Sequence, residues 1–336
     1  MADTVEIQNR RYIGSKAKLL PWIFETIQNE TREINSFCDI FAGTGVVANE
    51  AIKRFGSVIV NDLLFSNQVI YNAFWGKGRA SNRKVQSFVN LFNSLDGKLL
   101  PENFFSENYS DKFFDMNTAK KIGRIREIIE NEKDNLTSKE YCILLTILMY
   151  GMDKIANTLG HYEAYIHKQI MPQDLILKPI LYRSLSNVHI YRQDANKLAF
   201  QVASDLVYID PPYNSRQYSR FYHIYETLVK WDKPKLSGSA MKPPCENMSE
   251  YCSCRAKRAM ENLVQNLKTK YLVVSYNNTY QSKSSSSQNK IKLDELESIL
   301  ETVGKTKIFE HSHQFFNAGK TDFKNHKELL FVTEVR

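Results

Sequence analysis

The chain alternates short, nearly continuous apolar runs with longer stretches in which apolar residues recur every three or four positions. The short runs are 37–41 (Phe-Cys-Asp-Ile-Phe), 57–62, 188–191, 205–209 (Asp-Leu-Val-Tyr-Ile), 270–276 and 328–335. Runs of this length and composition read as strands buried in a parallel sheet. Three of them stop on or just before an acid: Asp62, Asp194 and Asp210. Helical spacing covers 46–55, 119–133 and 138–152, and residues 10–23 read as a glycine-containing loop entering a helix. Strands alternating with helices predict an α/β fold with a doubly wound, mostly parallel sheet.

Spacing then refines the organisation. Neighbouring strands in such a sheet are joined by a crossover unit of roughly 30 or more residues, yet 132 positions separate Asp62 from Asp194. Residues 76–187 are therefore expected to form an inserted, mainly helical subdomain, with 1–75 and 188–336 making the sheet domain around it. The apolar stretch 141–152 is too short to cross a bilayer and predicts a buried helix. A Ser/Lys-rich stretch, 281–290, predicts a surface loop.

The 336 residues are 43% hydrophobic and include 18 Tyr and 19 Phe, which excludes a disordered chain. A net charge of +8 keeps a polyanionic partner in play, and the charge is uneven. Residues 214–270 hold 11 Lys and Arg against 5 Asp and Glu, whereas 76–190 hold 16 against 13. Five cysteines do not make a disulfide framework. The polar, acidic opening is unlike a signal peptide, so a cytoplasmic protein with no membrane association is expected. Cys245, Cys252 and Cys254 lack a paired metal-ligand spacing, and no metal is expected. His311 and His313 would share a strand face as surface or core residues, and Trp22, Trp75 and Trp231 read as packing residues.

Two motifs carry chemistry. Phe41-Ala42-Gly43-Thr44-Gly45 places two glycines between a strand and a helix, where backbone can approach a ligand. Asp39 precedes the turn, and Asp62, 17 residues after Gly45, ends the next strand where such folds bind ribose hydroxyls. Ala48 stands where a dinucleotide site has its third glycine, which suits a single nucleoside ligand instead. A plain tight turn would show the same two glycines; the flanking acids favour the ligand site. In the second motif, Asp210-Pro211-Pro212-Tyr213 directly follows a buried strand. Its prolines stiffen the chain at the carboxyl edge of the sheet. They would present an acid, a carbonyl and an aromatic face to one planar group, the set needed by an exocyclic amine on a base.

These residues, with Tyr12-Ile13-Gly14-Ser15-Lys16, resemble the Dam-like, alpha-group adenine-N6 DNA methyltransferases. Their order along the chain matches as well, over residues 10–75 and 188–335. The resemblance implies a Rossmann-like methyltransferase sheet, S-adenosylmethionine as cofactor, and a target-recognition role for the insertion. It places cofactor contacts on Tyr12, Lys16, Asp39, Phe41, Gly43, Gly45, Asp62, Asp194 and Asp210. Tyr12 departs from the tryptophan some members carry. Asp210 and the Pro211 carbonyl would accept from the target amine and Tyr213 would stack on the base, with Pro212 completing the catalytic tetrapeptide. The base would be flipped out of double-stranded DNA.

Phosphate contacts are expected from Arg216 and Arg220, in a basic segment interleaved with tyrosines. Base reading is expected from His161, Tyr162 and Glu163 in the polar, aromatic run 157–165, which would serve equally as a helix-capping loop. A cognate restriction endonuclease is the expected functional, not necessarily physical, partner. Two alternatives stay open: cytosine-N4 methylation, disfavoured by an acid rather than a serine at 210, and a catalytically silent nucleic-acid-binding module.

Overall fold

A computed structural model describes residues 4–12, 14–167, 170–278, 288–312 and 327–336. Most of the expected 281–290 loop, and His313, lie outside the described residues. Strands β1 (Ser36–Asp39), β2 (Ser57–Asp62), β3 (Val188–Arg192), β4 (Leu206–Ile209), β5 (Tyr271–Asn277), β6 (Gly304–Ser312) and β7 (Lys327–Val335) form one sheet in the order β3-β2-β1-β4-β5-β7-β6. Helices are α1 (Leu20–Glu30), α2 (Val46–Ala51), α3 (Phe65–Phe74), α4 (Asn82–Ser94), α5 (Phe104–Tyr109), α6 (Met116–Asn131) and α7 (Ser138–Ile155). The remainder are α8 (Ala195–Ala199), α9 (Tyr218–Phe221), α10 (His223–Lys230), α11 (Ala256–Asn266) and α12 (Leu293–Glu301).

The chain divides into two compact units. The sheet unit comprises Ser15–Leu63, Asn187–Tyr218 and Asn247–Arg336. Within it β1 to β5 run parallel, with Cys38 of β1 between Ile59 of β2 and Val207 of β4. β7 enters antiparallel to β5, and β6 pairs antiparallel with β7. All four residues of β4 and all seven of β5 are buried, as their unbroken apolar runs require. On one face Val207, Ile209, Leu272 and Val274 pack against Leu198 of α8, Met260 and Leu263 of α11, and Leu296 and Leu300 of α12. Elsewhere Phe37 stacks on Phe24 of α1 at 6.1 Å and on Tyr208 at 6.4 Å. The winding direction reverses between β1 and β4, so the carboxyl ends of these two strands diverge around a crevice where open sheets take ligands.

The helical unit comprises Met1–Gly14, Leu64–Ser186 and Ser219–Glu246. Its apolar stretch is the centre of α7, whose first turn is closed by a capping box: the Glu140 amide donates to Thr137 Oγ1 (3.1 Å) and the Thr137 amide to Glu140 Oε2 (3.0 Å). Every residue from Ile143 to Asp153 is buried. Among the described residues no helix is long and apolar enough to cross a membrane.

This unit is larger than the insertion predicted over 76–187, and its bonding explains why. The Glu226 carboxylate of α10 accepts from the first two amides of α3, Phe65 (3.0 Å) and Ser66 (2.8 Å). Fully buried Arg126 of α6 donates to the Leu228 carbonyl at the end of α10 (2.6 Å). The Lys139 ammonium of α7 donates to the carbonyls of Asn72, Gly76 and Arg183, at 2.8, 2.9 and 2.9 Å. The N-terminal segment joins through Val5, which bridges to Ile180, and through the Ile7 carbonyl, which accepts from Tyr150. Thus 64–75 and 219–246 belong to this unit although the sequence order attaches them to the sheet.

Candidate active site

β1 ends on Asp39 and the chain turns through Gly43 (φ 53°) and Gly45 (φ 77°) into α2. Both angles lie in the left-handed region, where a side chain would be strained. Two acids brace the turn. Asp39, 1% exposed, accepts the Ala48 amide on Oδ2 (3.1 Å), while its Oδ1 is buried with no hydrogen-bond partner among the described residues. Asp62 at the end of β2 accepts the Gly43 amide on Oδ2 (2.9 Å). Burial, reinforced by the charge of Asp210, raises the Asp39 carboxyl well above the usual carboxylate range. A buried carboxylate oxygen without a partner is costly unless a donor meets it. An ammonium group placed there would answer that need.

Phe41 lies half-buried, edge-on to Tyr251 at 5.0 Å. Sequence reasoning passed over Asn61, which is 1% exposed. Its side-chain amide donates to the Ile40 and Gln193 carbonyls (3.0 Å each), and its oxygen accepts the Gln193 amide (3.0 Å). This amide fixes the ends of β1, β2 and β3 relative to one another. Asp194 caps α8 by accepting the Lys197 amide (3.2 Å).

Asp210-Pro211-Pro212-Tyr213 leaves the carboxyl end of β4 beside this turn. Lys16, from the segment before α1, points into the same place and is 4% exposed. Its Nζ donates to the Tyr213 hydroxyl (2.8 Å) and lies 3.3 Å from Asp210 Oδ1 and 3.5 Å from Glu328 Oε2. The Tyr213 hydroxyl donates to the same Asp210 Oδ1. Asp210 Oδ2 makes no hydrogen bond among the described residues. Burial raises the Asp210 carboxyl above its ordinary value against the pull of Lys16. Burial alone would lower the Lys16 ammonium, but Asp210 and Glu328 hold it above its ordinary value. The Tyr213 ring stands edge-on to Tyr276 at 4.8 Å, and its carbonyl accepts the Lys290 amide (2.7 Å). The result is one carboxylate with one oxygen engaged and the other presented.

The sheet unit thus gathers Lys16, Asp39, Phe41, Gly43, Gly45, Asp62, Asp194 and the tetrapeptide 210–213 at the carboxyl edge of its sheet. Glu328 was not among the expected residues; its strand was recognised but its carboxylate was not. Tyr12 falls in the helical unit, stacked on Tyr222 at 4.5 Å beneath the Arg10 guanidinium (4.8 Å). The other expected residues divide between the units. Arg216 lies in the sheet unit, where its carbonyl accepts from the Cys252 thiol (3.3 Å). Arg220, in the helical unit, donates to the Pro243 carbonyl (2.6 Å).

Within the run 157–165, His161 stacks on Phe221 at 4.6 Å and Glu163 bridges to Lys242 at 2.7 Å. Tyr162 requires a correction. It is 1% exposed and its hydroxyl donates to Tyr225, which in turn donates to buried Asp153 (2.6 Å). Its ring fills the core of the helical unit and presents no face to a base. His311 of β6 stacks on Trp22 at 4.9 Å.

Comparison with known proteins adds a family. A family model for D12 class N6 adenine-specific DNA methyltransferases matches residues 12–299. The chain is 30% identical to the Type II methyltransferase M.NlaIII of Neisseria lactamica, over 96% of this chain and 98% of that protein. It is 29% identical to the Type II methyltransferase M.CviAII of Paramecium bursaria Chlorella virus 1, over 96% and 97%. With the modification methylase StsI of Streptococcus sanguinis it shares 33% identity, over 80% of this chain and 44% of that longer protein.

Proposed function

The chain belongs to the D12 class N6 adenine-specific DNA methyltransferases, and from that premise we propose that it methylates the N6 amine of a flipped adenine at a specific site in double-stranded DNA. S-adenosylmethionine is the proposed cofactor and supplies the methyl group on its sulfonium when bound. The observation that carries this reading is the split state of Asp210, with Oδ1 held by Lys16 and Tyr213 and Oδ2 without a hydrogen-bond partner among the described residues.

An acceptor at Oδ2 would accept a hydrogen bond from the target amine, favouring electron density on nitrogen as it attacks, and the proton that nitrogen loses once the methyl is bound would leave by way of this carboxylate to solvent. No covalent enzyme intermediate is required, because the work consists of orienting a weak nucleophile and stabilising its developing charge. Asp39 Oδ1, buried without a hydrogen-bond partner among the described residues, would accept from the cofactor's ammonium, and Asp62, which braces the glycine turn, from its ribose. The Lys16 ammonium supports Asp210. Tyr213 provides the ring for the extruded base; stacking of this kind is worth about 1–3 kcal/mol against an unstacking cost of roughly a few kcal/mol.

The helical unit is the proposed reader of sequence, through the turn that carries His161 and Glu163, and Arg216 the phosphate contact of the sheet unit. A modification role beside a restriction endonuclease, in a prokaryotic or viral setting, follows the kind of relatives the chain has. The deciding experiment is transfer of labelled methyl from S-adenosylmethionine to duplex DNA, followed by nucleoside analysis. Label in N6-methyl-2′-deoxyadenosine is the expected result; label in a deoxycytidine product, or none, overturns the reading.

A further inference from the structure

We propose that Glu328 is a positioning residue for methyl transfer, acting through Lys16 to fix which oxygen of Asp210 faces the target amine. This rests on the reaction proposed above and concerns a residue that the motifs do not contain. Glu328 sits on β7, opposite Asn277 of β5 and His311 of β6, and reaches the Lys16 ammonium with a side chain only 9% exposed. Among the described residues the ammonium donates to the Tyr213 hydroxyl and lies in ion contact with two carboxylates, at Asp210 Oδ1 (3.3 Å) and at Glu328 Oε2 (3.5 Å), the latter oxygen making no hydrogen bond. At 5% side-chain exposure solvent cannot take the place of a missing neighbour. Without Glu328, Asp210 would be the one carboxylate among the described residues in contact with the ammonium, which would then straddle both of its oxygens. A second carboxylate in contact with the cation would balance the pull of Asp210, keep the ammonium on Oδ1 and leave Oδ2 for the amine.

Charge leads to the same assignment. One lysine between two carboxylates leaves the group net negative, so the acceptor is not neutralised by its own cation. Asp210 also shares its surroundings with Asp39, at the end of β1, and with the hydroxyls of Tyr208, Tyr213 and Tyr218. Of these groups, Lys16 lowers the Asp210 carboxyl and Glu328 raises it. The two must therefore act on its ionisation with opposite signs.

The test is the pH dependence of single-turnover methyl transfer by the full chain, comparing wild type, Glu328→Gln and Lys16→Met, with thermal unfolding and S-adenosylmethionine affinity measured alongside. Glu328→Gln is expected to slow transfer about tenfold, to keep cofactor affinity within about twofold, and to move the acid limb to lower pH. Lys16→Met is expected to move that limb to higher pH. A Glu328→Gln limb that coincides with wild type, with a rate that falls only as the protein loses stability, overturns the proposal. Should that variant not fold, Glu328→Asp carries the test: the limb is expected to stay in place while transfer slows, and an undiminished rate overturns the proposal. Wild-type protein that labels no adenine would refute the reaction itself, a result distinct from either.

Discussion

Replacing Asp210 by asparagine keeps the shape of the side chain and inverts the chemistry at one atom. Lys16 and the Tyr213 hydroxyl both present hydrogens to Oδ1, so the amide oxygen must occupy that position. The amide nitrogen then stands where Oδ2 was and meets the target amine donor to donor. A hydrogen bond to a charged acceptor is worth about 1.5–3 kcal/mol, and leaving a buried donor unpaired costs roughly 1–3 kcal/mol. Together these give about 2.5–6 kcal/mol, or on the order of 10² to 10⁴ in rate. Lys16 retains Glu328 as a counter-charge, so folding and cofactor binding should survive. Rapid-quench single turnover with labelled S-adenosylmethionine on saturating duplex measures the loss, and calorimetry checks that the cofactor still binds. Retention of more than about a tenth of wild-type turnover, a barrier rise below roughly 1.4 kcal/mol, would remove Asp210 from the acceptor role. Asp210→Ala, which deletes both oxygens, should be at least as slow.

Asp39→Asn and Asp62→Ala should each weaken S-adenosylmethionine binding by about 1.5–3 kcal/mol, the value of a hydrogen bond to a charged group; unchanged calorimetric affinity would refute the cofactor site. His161→Ala should narrow the gap between cognate and single-mismatch DNA by about 1–3 kcal/mol if it removes a base contact. Methylation rates on a panel of mismatched duplexes decide this, and an unchanged preference places the determinants elsewhere in the helical unit. Burial lowers the His223 imidazole to about 4, although its two ring nitrogens face the carbonyls of Arg220 (3.0 Å) and Ala240 (2.8 Å). Because the unfolded chain binds this proton near pH 6.5 and the folded one does not, stability falls as pH drops from about 6.5 to 4, by up to ~3 kcal/mol. Urea unfolding of wild type against His223→Gln should show that difference shrinking across this window; a constant difference refutes it.

The parts of the site that were legible in the sequence are those made by neighbouring residues. A strand running into Gly43-Thr44-Gly45, or into Asp210-Pro211-Pro212-Tyr213, carries its geometry locally, because backbone angles and strand ends are set by a few adjacent positions. Glu328 was not legible as a site residue, since it meets Lys16 across 312 positions of chain and its own run reads only as a strand. Tyr162 was misread for the mirror-image reason. In a polar run an aromatic residue suggests an exposed ring, but the partner of its hydroxyl, Tyr225, lies on α10, 63 positions along the chain. β6 was legible only at its end, as the strand face of His311, because Lys305, Lys307 and Glu310 break the apolar run before it, as is usual at a sheet edge. The boundary at 76 followed chain order, whereas α3 takes its side from Glu226 and Lys139.

The placement of β7 between β5 and β6 has a consequence for how the protein is made. During synthesis β6 leaves the ribosome with no strand to pair with, and β5 presents an open edge, until residues 327–335 have followed. Non-local antiparallel pairing of this kind is slow, and unpaired edges invite association between nascent chains. The strand that closes the sheet also delivers Glu328 to Lys16. Completion of the fold and completion of the charge arrangement around Asp210 are therefore one event, and a chain released before β7 emerges would have its glycine turn and catalytic tetrapeptide but neither a closed sheet nor the second carboxylate.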